Sequence, residues 1–268
     1  MLMFPSINPV ALTLGPLKVH WYGVMYMLGF VFFVVGGKWW IKKFNHPFIT
    51  DKLIDDMLFY GVLGVVIGGR LGYCIFYQPQ YYMSHPVDII KTWTGGMSFH
   101  GGMLGVIFSI FCLAKLKKIN FFILTDFIAP FIPMSLFLGR IGNFINGELW
   151  GRVVTTNIPW AMIYPQSGSM LPRHPSQIYE SLSEGLILMV ILWWFAFKPR
   201  IVGQVSGLFL ISYGLIRFTL EYFREPDSFL IDIPAKTGLT MGQWLCVPMI
   251  IAGFIIYVVM TKKKISLK

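Results

Sequence analysis

Seven stretches of about twenty mostly apolar residues recur along this chain, at roughly 19–39, 56–77, 97–115, 120–139, 176–197, 202–222 and 238–261. A helix of that length crosses the ~30 Å hydrocarbon core of a bilayer, because each residue advances about 1.5 Å and every backbone amide is satisfied within the helix. A water-soluble globule is excluded by composition: the chain is 56% hydrophobic, 17% aromatic and only 13% charged, with a mean hydropathy of +0.66. Too little polar surface remains to cover such a body in water. The expected fold class is an all-α polytopic membrane protein with about seven transmembrane helices, forming one integral membrane domain over 1–268.

Local signals refine the spans. The opening "MLMFPSINP" has no basic charge and no small-residue cleavage site, so no removable signal peptide is expected. Pro175 suits the first turn of the fifth span, while Pro130, Pro133 and Pro248 fall inside spans and are expected to bend them. The spacings Gly64 to Gly68 and Gly101 to Gly105 suit close helix contact. No internal repeat or second domain is evident.

Basic residues set an expected orientation. The runs "KWWIKK" after the first span, "KLKK" after the third, "KPR" after the fifth and "KKKISLK" after the seventh fall on one side. By the positive-inside rule that side is cytoplasmic, which leaves the amino terminus outside and the carboxy terminus inside. The net charge of +10 is then accounted for by topology and attraction to anionic membrane lipids, and no nucleic-acid partner is expected. The segment 141–174, polar and between spans, is expected to form a small external head.

With this topology, Arg70, Arg140 and Arg217 reach the outer half of the membrane, where His100 and the "HWY" of 20–22 also begin their spans. A charged side chain at such depth is costly and should face an interior cavity. Arg217 has Glu221 four residues on, and Arg140 has Glu148 across the following turn, so simple ion pairing is one explanation for each. Three arginines against these two glutamates leave positive charge over, which points to an anionic ligand, and at that depth to a phospholipid phosphate.

The motifs carry a family resemblance. "GRIGNFINGELWG" at 139–151 fills every fixed position of the pattern G-R-x-G-N-F-x-N-x-E-x-x-G. With "HWYGVMY" at 20–26, "GGRLGY" at 68–73, "GGMSFHGG" at 95–102, "LPRHPSQIYE" at 171–180 and "SYGLIRFTLEYFREPD" at 212–227, the chain resembles the bacterial prolipoprotein diacylglyceryl transferases over nearly its whole length. The resemblance implies a multi-pass enzyme of the bacterial cytoplasmic membrane whose site opens toward the periplasm. It implies transfer of the diacylglyceryl group of phosphatidylglycerol to the lipobox cysteine thiol of a prolipoprotein signal peptide, with release of glycerol phosphate.

Roles follow from the resemblance and from the chemistry of displacement at a glyceryl carbon. Arg140, with Arg217 as a second clamp, is expected to stabilise charge building on the leaving phosphate. His100 is expected to be essential, either as the base for the thiol or as an orienting group. Tyr22 either orients a substrate or is an interfacial aromatic. Asn143 and Asn146 either hold lipid oxygens or cap their helix. Gly151 closes the motif and is counted with the substrate-binding residues; Glu148, Tyr213 and Glu221 are expected to hold the arginines. Arg70 is either a third phosphate contact or a tie between spans, and His174 either lines the site or starts a helix. The cysteines Cys74, Cys112 and Cys246 have no ligand spacing, and neither a zinc pattern nor a phosphate-binding loop is found, so no metal or cofactor is expected. A lipid or organic-anion transporter would also need buried arginines, but repeated halves and a midplane site are not evident.

Overall fold

A computed structural model describes residues 2–198, 200–225 and 237–263. Pro199 of the "KPR" run, Pro226 and Asp227 of the last motif, and residues 264–268 of the terminal basic run lie outside the described residues. The chain divides into two compact units, one formed by 1–33 with 126–268 and the other by 34–125.

Among the described residues, six helices are long and apolar enough to cross a membrane: α1 (Trp21–Phe44), α2 (Asp51–Phe76), α4 (Phe99–Lys117), the segment Phe121–Asn146, the segment Ser176–Ala196, and α10 (Met241–Lys263). The expected sixth span is present as α9 (Gln204–Leu220), an apolar helix of 17 residues. At about 1.5 Å per residue it extends roughly 25 Å, just short of the hydrocarbon thickness. The polytopic helical fold is therefore as expected, with a small sheet added.

In the unit 34–125, α2 begins five residues before its apolar run. Thr50 accepts a hydrogen bond from the Leu53 amide at 3.2 Å and so caps a first turn too polar for hydropathy to mark. Its middle packs on α4 through the two expected glycine pairs. A Cβ on Gly72 would lie 2.8 Å from Gly101 Cα, and one on Gly68 2.8 Å from Gly105 Cα, so only hydrogen fits between the backbones. Outward-facing Phe59 and Ile75 are each 60% exposed, which suits a lipid-facing surface. After α2 come a short helix α3 (Pro79–Ser84) and two 3-10 turns, before Ser98 caps α4 by accepting from Gly101 at 3.2 Å.

The boundary between the units falls within α5 (Phe121–Ile128), which a 3-10 turn at Ala129–Phe131 joins to α6 (Ile132–Asn146) of the other unit. Pro130 sits in this break, and Trp193 Nε1 donates to its carbonyl at 2.8 Å. Pro248, in contrast, lies within a continuous α10. The Ser176–Ala196 segment comprises α7 (Ser176–Glu180), a π turn at Ser181–Ile187 and α8 (Leu188–Ala196). Buried Asp126 anchors the start of α9, accepting from the Gly203 amide at 2.6 Å and from the Ser206 amide at 2.7 Å.

Three short strands make the sheet: β1 (Leu2–Met3) runs parallel to β4 (Met162–Ile163), which pairs antiparallel with β5 (Pro172–Arg173). Two of them lie within 141–174. A separate hairpin of β2 (Val10–Leu14) and β3 (Leu17–His20) precedes α1.

Candidate active site

The last two turns of α6 carry Arg140, Asn143 and Asn146. Gly147 then stops the helix in the left-handed conformation, φ 64°, with its amide on the Asn143 and Phe144 carbonyls. The chain folds back at once. Glu148 Oε1 accepts from Asn143 Nδ2 at 2.9 Å and from Asn146 Nδ2 at 3.2 Å, and the next residue, Leu149, is also left-handed at φ 57°. That conformation strains a bulky side chain, and it is held by Gln177 Nε2 on the Glu148 carbonyl at 2.7 Å and Ser176 Oγ on the Leu149 carbonyl at 3.0 Å. The asparagines thus fasten the motif's own turn, and Asn146 Oδ1 is buried without a hydrogen-bond partner.

The expected Arg140–Glu148 pair is not formed. Arg140 faces α7 and the π turn, with Nε 2.9 Å from Glu180 Oε2 and Nη2 3.2 Å from Glu184 Oε2. Arg217, on α9, reaches the same two carboxylates, with Nη1 3.4 Å from Glu180 Oε1 and 3.8 Å from Glu184 Oε1, and its Nη2 pairs with Glu221 as expected. Arg224 Nη1 adds a third cation 3.7 Å from Glu180 Oε1. The side chains of Glu180 and Glu184 are 1% and 0% exposed, while those of Arg140 and Arg217 keep 17% and 14%. Positive charge in excess is therefore corrected: Arg140, Arg217 and Arg224 balance Glu180, Glu184 and Glu221. Buried carboxylates are tolerable only when paired, so each side of this cluster stabilises the other.

Each guanidinium is gripped on part of its edge. Among the described residues, Arg140 Nη1 and Arg217 Nε have no protein acceptor within hydrogen-bond reach. Donors held in place with one edge spare are what an anion-binding site requires.

Glu221 is steadied in turn by the residues that lead into and begin α10. Thr240 Oγ1 donates to its Oε1 at 3.0 Å, and a Cβ on Gly242 would lie 2.6 Å from the same oxygen. Tyr213, one turn before Arg217 on α9, stacks on Phe209 at 5.8 Å. Tyr22 packs its ring on Gly142, where a Cβ would lie 2.9 Å from Tyr22 Cδ2, and its hydroxyl is 3.1 Å from that of Tyr26.

Gly151 works through its backbone: its amide donates to the His174 carbonyl at 3.0 Å, its carbonyl accepts from Arg173 Nη1 at 3.1 Å, and it bridges to Arg224. His174 Nδ1 lies 3.3 Å from the Tyr179 hydroxyl, which also accepts from Trp160 Nε1 at 2.7 Å. Burial pushes the His174 imidazole below its ordinary pKa.

Arg70 and His100 belong to the other unit. All five guanidinium donors of buried Arg70 are used by carbonyls of the loop after α3: Nε by Ile89 at 2.8 Å, Nη2 by Asp88 at 2.7 Å and Lys91 at 2.9 Å, and Nη1 by Gly96 at 3.2 Å and by Gly95. These bonds fasten α2 to the loop that leads to α4. Arg70 binds a loop, not a second span. His100 is exposed in the first turn of α4, edge-on to Phe99 at 5.6 Å.

Comparison with known proteins agrees with these motifs. The family model "Prolipoprotein diacylglyceryl transferase" matches residues 9–259. The chain belongs to the prolipoprotein diacylglyceryl transferase family. A phosphatidylglycerol–prolipoprotein diacylglyceryl transferase of Bordetella avium is 54% identical over 98% of this chain and 98% of its own length. Relatives of the same name from Polaromonas sp. and Cupriavidus necator are 55% and 54% identical over 94% of this chain and 93% and 92% of their own. In this transferase no role was expected for Glu180, Glu184 or Arg224, although Glu180 and Arg224 stand within the quoted motifs. Two acids four apart in an otherwise apolar span were the available signal, since such a pair inside a membrane demands cationic partners.

Proposed function

We propose that this transferase moves the diacylglyceryl group of phosphatidylglycerol to the lipobox cysteine thiol of a prolipoprotein signal peptide, the first step of lipoprotein maturation. A carbon–sulfur bond forms at the glyceryl carbon, the carbon–oxygen bond to phosphate breaks, and glycerol phosphate leaves with the electron pair. The thiol proton must be removed before or during attack.

The observation that carries the site assignment is the pair of part-satisfied guanidiniums. Arg140 and Arg217, with Nη1 and Nε unpaired among the described residues, are assigned to the lipid phosphate. They stabilise the departing phosphate more than the bound diester, because its negative charge increases as the bond breaks. Glu221 and Tyr213 brace them, and Tyr22 borders the lipid head. Asn143, Asn146, Glu148 and Gly151 shape the wall against which that head rests.

The reaction is assigned to the periplasmic side of the bacterial inner membrane, with the amino terminus outside and 141–174 as a head over the site. The support is Lys42 and Lys43 in the last turn of α1, and Lys115 and Lys117 in the last turn of α4. The deciding experiment incubates purified protein with phosphatidylglycerol and a lipobox peptide. Glycerol phosphate release with a matching gain in peptide mass is expected; lipid movement without either product would instead identify a transporter.

A further inference from the structure

Glu184 lies on the π turn Ser181–Ile187, a local widening of the helix that recurs at functional sites. Its side chain is 0% exposed, and its two oxygens address different arginines, Oε2 toward Arg140 Nη2 at 3.2 Å and Oε1 toward Arg217 Nη1 at 3.8 Å. Glu180, one α-helical turn earlier, repeats the arrangement from the other side. Both acids stand on a helix that carries neither arginine, so the spacing of the two guanidiniums is set by this helix and not by α6 or α9 alone.

We propose that Glu184 is a positioning residue of the transfer reaction: it fixes Arg140 and Arg217 at the separation that grips one phosphate, while offsetting their charge. The proposal rests on the assignment of those arginines to the lipid phosphate. Three arginines and three glutamates make the empty cluster neutral, so a monoanionic phosphodiester brings it to one net negative charge. Replacing Glu184 with glutamine removes one competing anion and strengthens ground-state attraction for the lipid. The same change releases the guanidiniums from their fixed spacing, so the departing phosphate is stabilised less. Turnover and KM therefore fall together, a pattern that simple loss of binding or folding does not give.

The test measures steady-state kinetics of the full chain against phosphatidylglycerol for Glu184→Gln, Glu184→Asp and Arg140→Lys in one preparation. Glu184→Gln is expected to lower kcat by about tenfold or more and to lower KM. Glu184→Asp keeps the charge with a shorter reach, so its KM stays near the parent value and its kcat falls less. An unchanged kcat, or a raised KM, in Glu184→Gln overturns the proposal. If that variant does not accumulate folded, Glu184→Asp decides: reduced kcat at constant KM supports positioning, and raised KM or parental kcat overturns it. Normal turnover in Arg140→Lys sinks the phosphate assignment itself, whereas an inactive Arg140→Lys beside a normal Glu184→Gln sinks only the positioning role.

Discussion

Asn143 donates its side-chain amide to Glu148 Oε1 across 2.9 Å, locking the end of α6 to the loop that leaves it. Asn143→Asp sets two carboxylates at that distance and should lower both melting temperature and turnover. The double variant Asn143→Asp with Glu148→Gln restores a donor and an acceptor in reversed order, and should recover a large part of the lost stability. A thermal-unfolding cycle over the four proteins checks this, and strict additivity would show that the two residues do not communicate.

Arg140 has a fold role as well as its assigned chemistry. Arg140→Lys keeps a cation near Glu180 and Glu184 but loses the planar fork, so folding should persist while turnover is lost. Arg140→Ala leaves those buried acids short of a partner, and destabilisation of about 3–5 kcal/mol is expected. Unfolding curves in detergent beside a glycerol phosphate assay separate the two outcomes.

Gly72→Ala tests the contact of α2 with α4. The added Cβ would lie 2.8 Å from Gly101 Cα and 3.2 Å from Ser98 Cβ. Separating the backbones should cost about 1–3 kcal/mol. Gly61→Ala, on the same helix with open space at its Cβ, is the control and should melt like the parent.

His174 gives stability an acid-side slope. Burial lowers its pKa in the folded protein, so the unfolded chain binds the proton more readily. The contribution is complete above the ordinary imidazole pKa of about 6.5 and declines as pH falls through that value toward the folded pKa. Melting temperatures measured from pH 8 to pH 5, an interval of about three units around that ordinary value, should fall less steeply in His174→Gln than in the parent.

The spans were legible because hydrophobicity is local: apolar runs, glycine spacings and Pro130 each report on their own few residues. Partnership was not. Arg217 with Glu221 could be read, being one helical turn apart, but Arg140 with Glu180 and Glu184 joins residues about forty positions distant on facing helices. Asn143 and Arg70 show a related limit, since nothing in their spacing reveals the turn carboxylate and loop carbonyls they bind. The short strands β4 and β5, two residues each, carry no periodicity to detect.

The π turn also fixes a phase. An α-helix turns by about 100° per residue and the wider π turn by less, and through it Glu180 and the buried Leu188, Leu192 and Ala196 all meet their neighbours. Deleting one residue there would close the turn to ordinary α-helix with the flanking segments still in phase, and would take away the wider backbone that carries Glu184. Exposed Leu182 and Ile187 should accept exchange, whereas Gly185 should not, because a Cβ there would lie 2.5 Å from Phe137 Cβ.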